Sequence, residues 1–436
     1  MIGTAPRKAR CTFVRFSAGS AIVCAALWAQ SPAAVSLAQA EQIALRNHPR
    51  IASAELSAQA SGFVVKEARA AYYPTLSGNV TGVGTEHGSV LSAGAVTTSS
   101  IYSRQASGVV ANQLVTDFGR TASLEESAKL RNASQKRNVT NTRAQVLLEV
   151  QQEYYRALAS ESVLKVARAT LDLRRLTLRQ VTALAQSVLR STIDVSFAQV
   201  NESQAELDLF RAENDSTASH ARLSAALGYD RDQPFSLSDE PLPPPLDPNV
   251  DALIEQAKRE RPDLAALQLN REALDRYAEA EKRLRNPTIN LAAVAGLALL
   301  RDDRLPESYS AAGVNVNIPV LNGGLFKARR EEAESRAAAA AKDVQDLSVA
   351  IARDVRVAWL DASDTFRRLD VTARMVAQAN EALRLAQARY DNALGSIVEL
   401  NQAQLNQTSA EIAAASAKYD YLSARGALNY SMGILR

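Results

Sequence analysis

The chain carries two copies of one sequence pattern, and this duplication limits the folds it can adopt more than any other feature. Residues 38–74 are echoed 213 positions later, and residues 115–228 are echoed 205 positions later. Matching positions include Ala44, Arg46, Pro49 and Leu56 with Ala257, Arg259, Pro262 and Leu269, and later Gln199, Asn201 and Gly228 with Gln404, Asn406 and Gly433. Both copies should therefore form the same structural unit. We predict a first repeat over 35–240, a proline-rich linker over 241–248 and a second repeat over 249–436.

Residues 1–34 precede the repeats and have the pattern of a secretory signal peptide. Four basic residues lead into an apolar stretch over 16–28, which is followed by small residues and Pro32. Cleavage after Ala29 or Ala34 fits this pattern. The apolar stretch is too short to span a bilayer comfortably. Lipidation of Cys24 is the less favoured alternative, because Val23 before it does not suit a lipoprotein signal.

Removal of this segment changes the composition in two ways. Both cysteines, Cys11 and Cys24, are lost, so the mature chain offers no thiolate for catalysis and no cysteine ligand for a metal. Four of the 50 Lys and Arg residues also leave, which gives 46 basic residues against 47 acidic ones. This balance does not favour a nucleic-acid-binding surface.

Two long stretches lack the residues that usually end helices. Residues 120–227 contain neither Gly nor Pro, and residues 325–432 contain no Pro and only Gly395 and Gly426. Strong helix formers dominate both stretches, and apolar residues recur at helical spacing. We predict in each copy a helix of about 65 residues, a tight tip at 186–194 or 394–399, and a returning helix of about 35 residues. At each tip Ser191 or Ser396 stands three residues before a carboxylate, which is the spacing of a capping box.

A segment of different character precedes each helical hairpin. Residues 75–85 alternate apolar or small with polar residues, and 109–116 can return as a partner strand across a long loop over 84–108. In the second copy 288–295 and 314–318 alternate in the same way, separated by a shorter loop over 299–308. Such alternation over about ten residues is what a membrane-spanning strand requires. A buried helix over 291–300 remains an alternative from periodicity alone.

The two repeats supply four strands, which are too few to close a barrel, so strands from more than one chain must combine. Unpaired strand edges cost several kcal/mol per backbone group in lipid. Two chains would supply eight strands, whose lumen fills with side chains, whereas three would supply twelve, enough for a channel. The predicted helices would continue the barrel as a tube, so the sequence favours a trimeric duct.

Several motifs of the chain resemble the TolC family of outer-membrane efflux and secretion channels. These motifs are Tyr73 with Pro74 and Asn286 with Pro287 before the strands, Asp117 to Arg120 and Asn322 to Gly324 at the strand-to-helix turns, and Tyr390 to Gln404 at the second tip. Their order and duplication cover essentially all of 35–436. The resemblance implies an α+β membrane protein, mostly α, with four transmembrane strands per chain in a trimeric 12-stranded barrel that a long periplasmic helical barrel continues.

The resemblance also implies function and partners. Family members are passive exit ducts in the outer membrane, without enzymatic activity or cofactor, in tripartite efflux pumps or type I secretion systems. The homotrimer would bind a periplasmic membrane-fusion adaptor and an inner-membrane pump of the RND or ABC type. The chain itself contains no Gly-rich phosphate loop, so energy would come from the pump. Outer-membrane lipid is the other partner expected, and nucleic acid is not.

The resemblance places the functional residues at the helical tips. Glu399 occupies the position of a gate carboxylate, Tyr390 matches an aromatic of the latch region, and Gln402 stands where a second acid is often found. Asp194 is the first-copy counterpart of Glu399. The expected gate therefore consists of Asp194, Tyr390, Glu399 and Gln402, and the expected adaptor-docking surface of Val188, Leu189, Arg190, Ser191, Leu394, Gly395 and Ser396. The alternative role for the two carboxylates is helix capping alone.

Other functions find less support. The three histidines, His48, His87 and His220, have no second ligand at metal-binding spacing. His48, at a predicted helix end, and His87, in the predicted outer loop, are interpreted as incidental. No constellation of catalytic residues is present, so an enzyme is not indicated. The remaining alternative is a periplasmic coiled-coil adaptor or scaffold without a channel, which would explain the hairpins and the signal peptide but not the four alternating segments.

Overall fold

A computed structural model describes most of the chain outside the predicted signal peptide. The described residues are 34–84, 103–187, 190–233, 235–301, 303 and 305–435. The predicted signal peptide and its Cys24 thus lie outside the described residues, apart from Ala34, as does most of the first predicted loop. The predictions that concern them, and the repeat boundaries, stay predictions.

Eight helices in the described chain appear in two sets of matching order and length. The first set is α1 (Leu37–Asn47), α2 (Pro49–Ala70), α3 (Arg120–Gln186) and α4 (Thr192–Ala226), and the second is α5 (Val250–Glu260), α6 (Pro262–Lys282), α7 (Leu325–Asp391) and α8 (Ile397–Ser431). Both α3 and α7 have 67 residues, and both α4 and α8 have 35. The two predicted helical hairpins are therefore confirmed, and each long helix extends about 100 Å.

Glycine starts both long helices. Gly119 and Gly324 precede α3 and α7 in the left-handed region, with φ of 90° and 85°. A side chain is disfavoured there, so glycine lets the chain turn sharply from strand to helix. In the first copy Asp117 completes the turn, because its carboxylate accepts hydrogen bonds from the Thr121 amide at 2.7 Å and the Gly119 amide at 3.1 Å.

Four antiparallel strands form one sheet in the order β1-β2-β3-β4. They are β1 (Thr75–Val83), β2 (Arg104–Thr116), β3 (Thr288–Arg301) and β4 (Ser308–Asn317). The strand predicted over 288–295 is confirmed over the alternative of a buried helix at 291–300. The loop predicted over 299–308 was wrong at both ends, because β3 continues to Arg301 and β4 begins at Ser308. The predicted start of β2 at Val109 was wrong, because the strand begins at Arg104. Ala106, Ser107 and Gly108 have weak strand propensity, but β2 pairs on both sides and this tertiary pairing overrides propensity.

The register of the sheet places most of the large apolar side chains of the four strands on one face. Leu76 pairs with Ala111, Ala111 with Ala293, and Ala293 with Ala312. The other face is richer in polar and small residues, as in the row of Asn79, Gly108 and Gly296 that ends at Tyr309, although Val110 and Val294 also lie on it. Leu76 and Val80 on the apolar face are each 75% exposed within the chain. One exposed apolar face and one polar face are the pattern of a sheet with lipid on one side and water on the other.

The helices pack side by side with small apolar cores along their length. Near the middle, Tyr154 of α3 is fully buried, and its hydroxyl lies 2.7 Å from the Ser238 carbonyl oxygen and 2.8 Å from that of Val35. Toward the tips α3 packs against both α4 and α8, and α7 packs against α8. This arrangement places the tips of the two hairpins next to each other at the end opposite the sheet.

Candidate functional site

The two predicted tips differ in detail from their sequence assignments. The first lies between Gln186 and Thr192, inside the predicted range of 186–194. The second occupies 392–396, so the predicted range of 394–399 was placed too late and Glu399 already belongs to α8. The reason is local: Ala393 adopts a left-handed φ of 59°, which ends α7 early. The amides of Leu394 and Gly395 then donate to the Arg389 carbonyl oxygen at 2.8 and 3.0 Å.

Serine caps each returning helix, but neither predicted capping box is complete. Ser191 Oγ accepts from the Ile193 amide at 3.3 Å, and Ser396 Oγ accepts from the Glu399 amide at 3.1 Å. The carboxylates at the third position form their described contacts elsewhere: Asp194 with Tyr390 and Glu399 with Arg389. The N-caps are thus confirmed, and neither acidic side chain is engaged in helix capping.

A contact between the two hairpins joins three predicted site residues. The Tyr390 hydroxyl donates to Asp194 Oδ2 at 3.4 Å, and the Arg190 guanidinium donates to the Tyr390 carbonyl oxygen. The same guanidinium carbon lies 4.2 Å from the centroid of the Tyr390 ring, a cation–π distance. Tyr390 is only 2% exposed, so one buried ring from the second hairpin is held by two residues of the first. We call Arg190, Asp194 and Tyr390 the tip cluster.

The electrostatics of the tip cluster favour a neutral tyrosine. Burial raises the pKa of Tyr390, and the nearby Asp194 carboxylate raises it further, against an opposing effect of Arg190. A neutral phenol donates a hydrogen bond to the carboxylate, whereas a phenolate would repel it. The cluster therefore remains intact at neutral pH.

The other predicted gate residues lie on the exposed side of the second tip. The Glu399 carboxylate lies 3.1 Å from Arg389 Nε, and Arg389 Nη2 also donates to the Leu394 carbonyl oxygen at 3.2 Å. The Gln402 amide donates to Asn406 Oδ1 at 2.9 Å within α8. Glu399 is therefore paired within its own hairpin and does not take part in the contact between hairpins.

Of the predicted docking residues, some have structural roles in the tips and Leu394 is mainly exposed. Val188 and Leu189 lie outside the described residues. Arg190 belongs to the tip cluster and Ser191 and Ser396 cap helices, whereas Leu394 is 72% exposed at the apex of the second tip. A methyl group at Gly395 would come within 3.2 Å of the Glu399 carboxylate, so glycine permits the close turn there.

A polar seam above the tips was missed by sequence reasoning. Arg174 of α3 is 4% exposed, and its guanidinium donates to Gln404 Oε1 of α8. Gln404 Nε2 in turn donates to Thr177 Oγ1 at 3.2 Å. Burial lowers the pKa of Arg174, which is the direction expected for a cation removed from water. The sequence could have indicated part of this seam, because Arg174 lies at helical spacing from the apolar Leu171 and Val181 and therefore on the same buried side of α3.

His48, expected to be incidental, has a structural role. It precedes α2, and its Nδ1 accepts a hydrogen bond from the Arg50 amide at 3.2 Å. Burial lowers the pKa of His48, against a smaller opposing effect of Glu149, which favours the neutral form that can accept this bond. Its position before Pro49 was the available signal, since proline is common in the first turn of helices.

Two further features of the described chain bear on its chemistry. Its described residues include no group of three or more His, Cys, Asp and Glu side chains that could hold a metal ion. Of the helices the structure describes, none combines the length and the apolar character needed to cross a membrane.

These features together define a class of protein. A sheet with one apolar face stands at one end of helical hairpins about 100 Å long, with a polar tip at the other end. This is the architecture of an outer-membrane channel with a periplasmic helical extension.

Comparison with known proteins identifies the family. The model of the family described as outer membrane efflux protein matches residues 40–229 and 253–434. The chain therefore belongs to the outer membrane efflux protein family. It is a non-enzymatic outer-membrane channel of efflux pumps, as its resemblance to the TolC family implied.

Individual relatives agree with this assignment. The chain is 23% identical to outer membrane protein TolC of Vibrio cholerae over 67% of its own length and 69% of the relative. It is 25% identical to the solvent efflux pump outer membrane protein SrpC of Pseudomonas putida over 86% of its length and 79% of the relative. A solved membrane protein from Pseudomonas aeruginosa shares the fold with a TM-score of 0.79 and 21% identity, over 91% of this chain and 93% of that one.

Proposed function

We propose that three copies of the chain form one exit duct, with a 12-stranded barrel in the outer membrane and a helical tube in the periplasm. The observation that carries this proposal is the pair of open edges in the sheet. Within the described chain β1 pairs only with β2, and β4 pairs only with β3. In lipid such edges are very costly, and pairing β1 of one copy with β4 of the next removes them.

Exposed apolar stripes on the helices support the same assembly. On α4 Ile193, Phe197, Val200 and Leu207 are separated by four, three and seven residues, and on α7 Val371, Met375 and Leu385 by four and ten. Such intervals keep the side chains on one side of each helix. The described contacts place α3 and α8 between α4 and α7, which puts these stripes on opposite flanks of the chain. The α4 stripe of one copy would pack against the α7 stripe of the next, as in a coiled coil.

The tip cluster would hold the periplasmic end closed. Arg190 and Asp194 bind Tyr390 across the two hairpins, so opening requires that this contact break. Glu399, whose charge the exposed pair with Arg389 offsets only in part, would contribute one carboxylate per copy to a ring at the entrance that favours cations and repels itself. A ring of Gln402 side chains from the three copies would carry no charge at its own level of the entrance. Asp194 has both roles, as a partner of Tyr390 and as a first-copy carboxylate.

The tips would also bind the partners that supply energy. The relative SrpC is named as the outer membrane protein of a solvent efflux pump, which supports pump partners for this chain. We infer that a periplasmic membrane-fusion adaptor contacts the apex around Leu394, Gly395 and Ser396 and the first tip around 188–191. An inner-membrane pump of the RND or ABC type would then drive transport. The transported compound is set by that pump.

Planar bilayer recording tests the channel directly. Purified protein should insert from detergent and give discrete single-channel steps that disappear when the protein is unfolded before reconstitution. A water-soluble protein without conductance would contradict the channel and favour the periplasmic scaffold. A matched experiment with the Leu394→Ser variant tests docking, because adaptor binding should weaken while conductance stays unchanged.

A further inference from the structure

Tyr309 is the one aromatic residue in the four strands that the structure describes. Aromatic residues of membrane barrels usually lie on the lipid face, at the two interfaces. Tyr309 lies instead on the polar face, since it pairs with Gly296, which pairs with Gly108 and then Asn79. An anchoring role at the lipid interface therefore does not explain this side chain.

Two glycines on neighbouring strands receive the tyrosine ring. A Cβ atom at Gly296 would overlap Cζ and Oη of Tyr309, and a Cβ atom at Gly108 would overlap the same hydroxyl. The side chain thus extends from β4 across β3 toward β2, lying along the wall of the sheet. At Gly313, on the same face of β4, a Cβ atom would meet nothing within 4 Å. Of these three glycines, only the two under the ring are crowded, and at Gly108 a Cβ atom would also come within 2.8 Å of the Ala295 carbonyl oxygen.

We propose that Gly108 and Gly296 recess Tyr309 into the lumen wall, and that this recess sets the width of the duct near its outer end. The inference rests on the proposed trimer, in which the polar faces of three sheets line one lumen. Three tyrosines would then lie at one level, near the outer ends of the strands. Beside the rings the wall is small, as at Ala298 and Ala311, so the rings are the bulkiest groups at their own level. Arg104 and Arg301 lie on the same face, farther toward the outer end.

The size of the effect follows from barrel geometry. Twelve strands about 4.8 Å apart and tilted by about 40° enclose a backbone radius of about 12 Å. Side chains reduce the open radius to roughly 8–9 Å, and three aromatic rings turned off the wall would fill roughly a third of that area. A ring that cannot lie flat should therefore reduce conductance by roughly a third, if the barrel is the narrowest part of the duct.

Conductance of glycine and tyrosine variants tests the recess. The measurements use a background of Arg190→Gln and Asp194→Asn, chosen to release the periplasmic tip so that the tip does not limit the current. There Gly296→Ala should lower conductance, Tyr309→Ala should not, and the double variant should match Tyr309→Ala. Gly313→Ala is the control and should have no effect. Trimer assembly of each variant is checked on unheated gels.

The double variant separates the ring from the backbone. A Cβ atom at Gly296 also comes within 2.5 Å of the Ser107 carbonyl oxygen, so alanine there disturbs the sheet as well. If Gly296→Ala lowers conductance equally with and without the tyrosine, sheet distortion is the cause and the proposal is overturned. An unchanged conductance in Gly296→Ala also overturns it. If the unsubstituted protein forms no channel, the proposed function fails instead.

Thiol accessibility gives a second test that leaves both glycines in place. Tyr309→Cys should react with a charged thiol reagent added from the outer side, and the modified channel should conduct less. Ser310→Cys, on the opposite face of the same strand, should be protected by lipid. Equal reactivity of the two cysteines, or reaction at Ser310→Cys alone, would overturn the assignment of Tyr309 to the lumen. This test serves equally where Gly296→Ala does not assemble.

Discussion

Replacing Arg190 by glutamine should open the periplasmic end of the channel. The substitution removes the guanidinium that lies 4.2 Å from the Tyr390 ring centroid and donates to the Tyr390 carbonyl oxygen. The Asp194 contact with the Tyr390 hydroxyl is long, at 3.4 Å, and would remain as the main described polar contact between the hairpins at this level. Arg190→Gln therefore removes most of the polar attraction at the tip while keeping the chain length of the side chain similar.

The expected magnitude follows from two interactions. A partly desolvated cation–π contact contributes about 1 kcal/mol, and a charge-assisted hydrogen bond contributes about 1.5 kcal/mol or more. Allowing for the partial exposure of Arg190, we expect a loss of about 2 kcal/mol per copy, which changes the closed-to-open ratio roughly 30-fold. A tip that is closed in about 99 of 100 molecules would then be open in about a quarter.

Single-channel recording in planar bilayers measures this change as open probability or mean conductance. Arg179→Gln is the matched control, because Arg179 is an exposed arginine of α3 for which the described chain shows no hydrogen bond or ion pair. It removes the same charge close to the same tip and should leave gating unchanged. Equal gating in Arg190→Gln and the unsubstituted protein would refute the role of the tip cluster. Equal opening in both variants would show a general effect of charge.

Three further changes have definite expected outcomes. Glu399→Gln removes one carboxylate per copy and should lower cation selectivity, measured as a reversal potential in a salt gradient; an unchanged potential would count against a pore-lining position. Gln404→Leu removes the acceptor of the buried Arg174 and should destabilise the protein by about 1–3 kcal/mol, whereas Gln199→Leu, its exposed first-copy counterpart, should not; thermal unfolding compares them. The pKa of Tyr390 is raised in the folded state, so the stabilisation of the closed tip by its neutral hydroxyl is present below pH about 10 and is lost as the pH rises further. Alkaline solution should therefore open the tip, and Tyr390→Phe should abolish that pH dependence.

The sequence was most informative about the helices. The absence of Gly and Pro over 120–227, with strong helix formers between, predicted a rod and a returning helix, and α3 and α4 have the expected lengths. Local chemistry decides such elements, since each residue only has to continue the helix before it. Boundaries were less certain where a non-glycine residue adopts a left-handed conformation, as Ala393 does at the end of α7.

The sheet was predictable in pattern and less so in extent. Alternation placed Leu76, Val80 and their counterparts on one face, and the register brings these faces together. The first five residues of β2 carry no such signal. They form a strand because β1 and β3 supply partners on both sides, and that information lies about 200 residues away in the case of β3.

The candidate site was predictable only through resemblance and symmetry. Asp194 and Tyr390 were both assigned to the gate, but their contact spans 196 residues and no local pattern indicates it. Arg190 was expected to bind an adaptor, and its packing on Tyr390 follows from the meeting of two hairpins. The Arg174–Gln404 pair was missed for the same reason, because each residue alone resembles an ordinary polar position on a long helix.

The trimer is the central claim, and native mass spectrometry of the protein in mild detergent tests it most directly. The open edges of β1 and β4 and the apolar stripes of α4 and α7 predict a single species with three copies of the mature chain. That species should persist when salt is raised, because the predicted contacts between copies are mainly apolar and backbone hydrogen bonds. A monomer, or a dimer with only eight strands, would contradict the account.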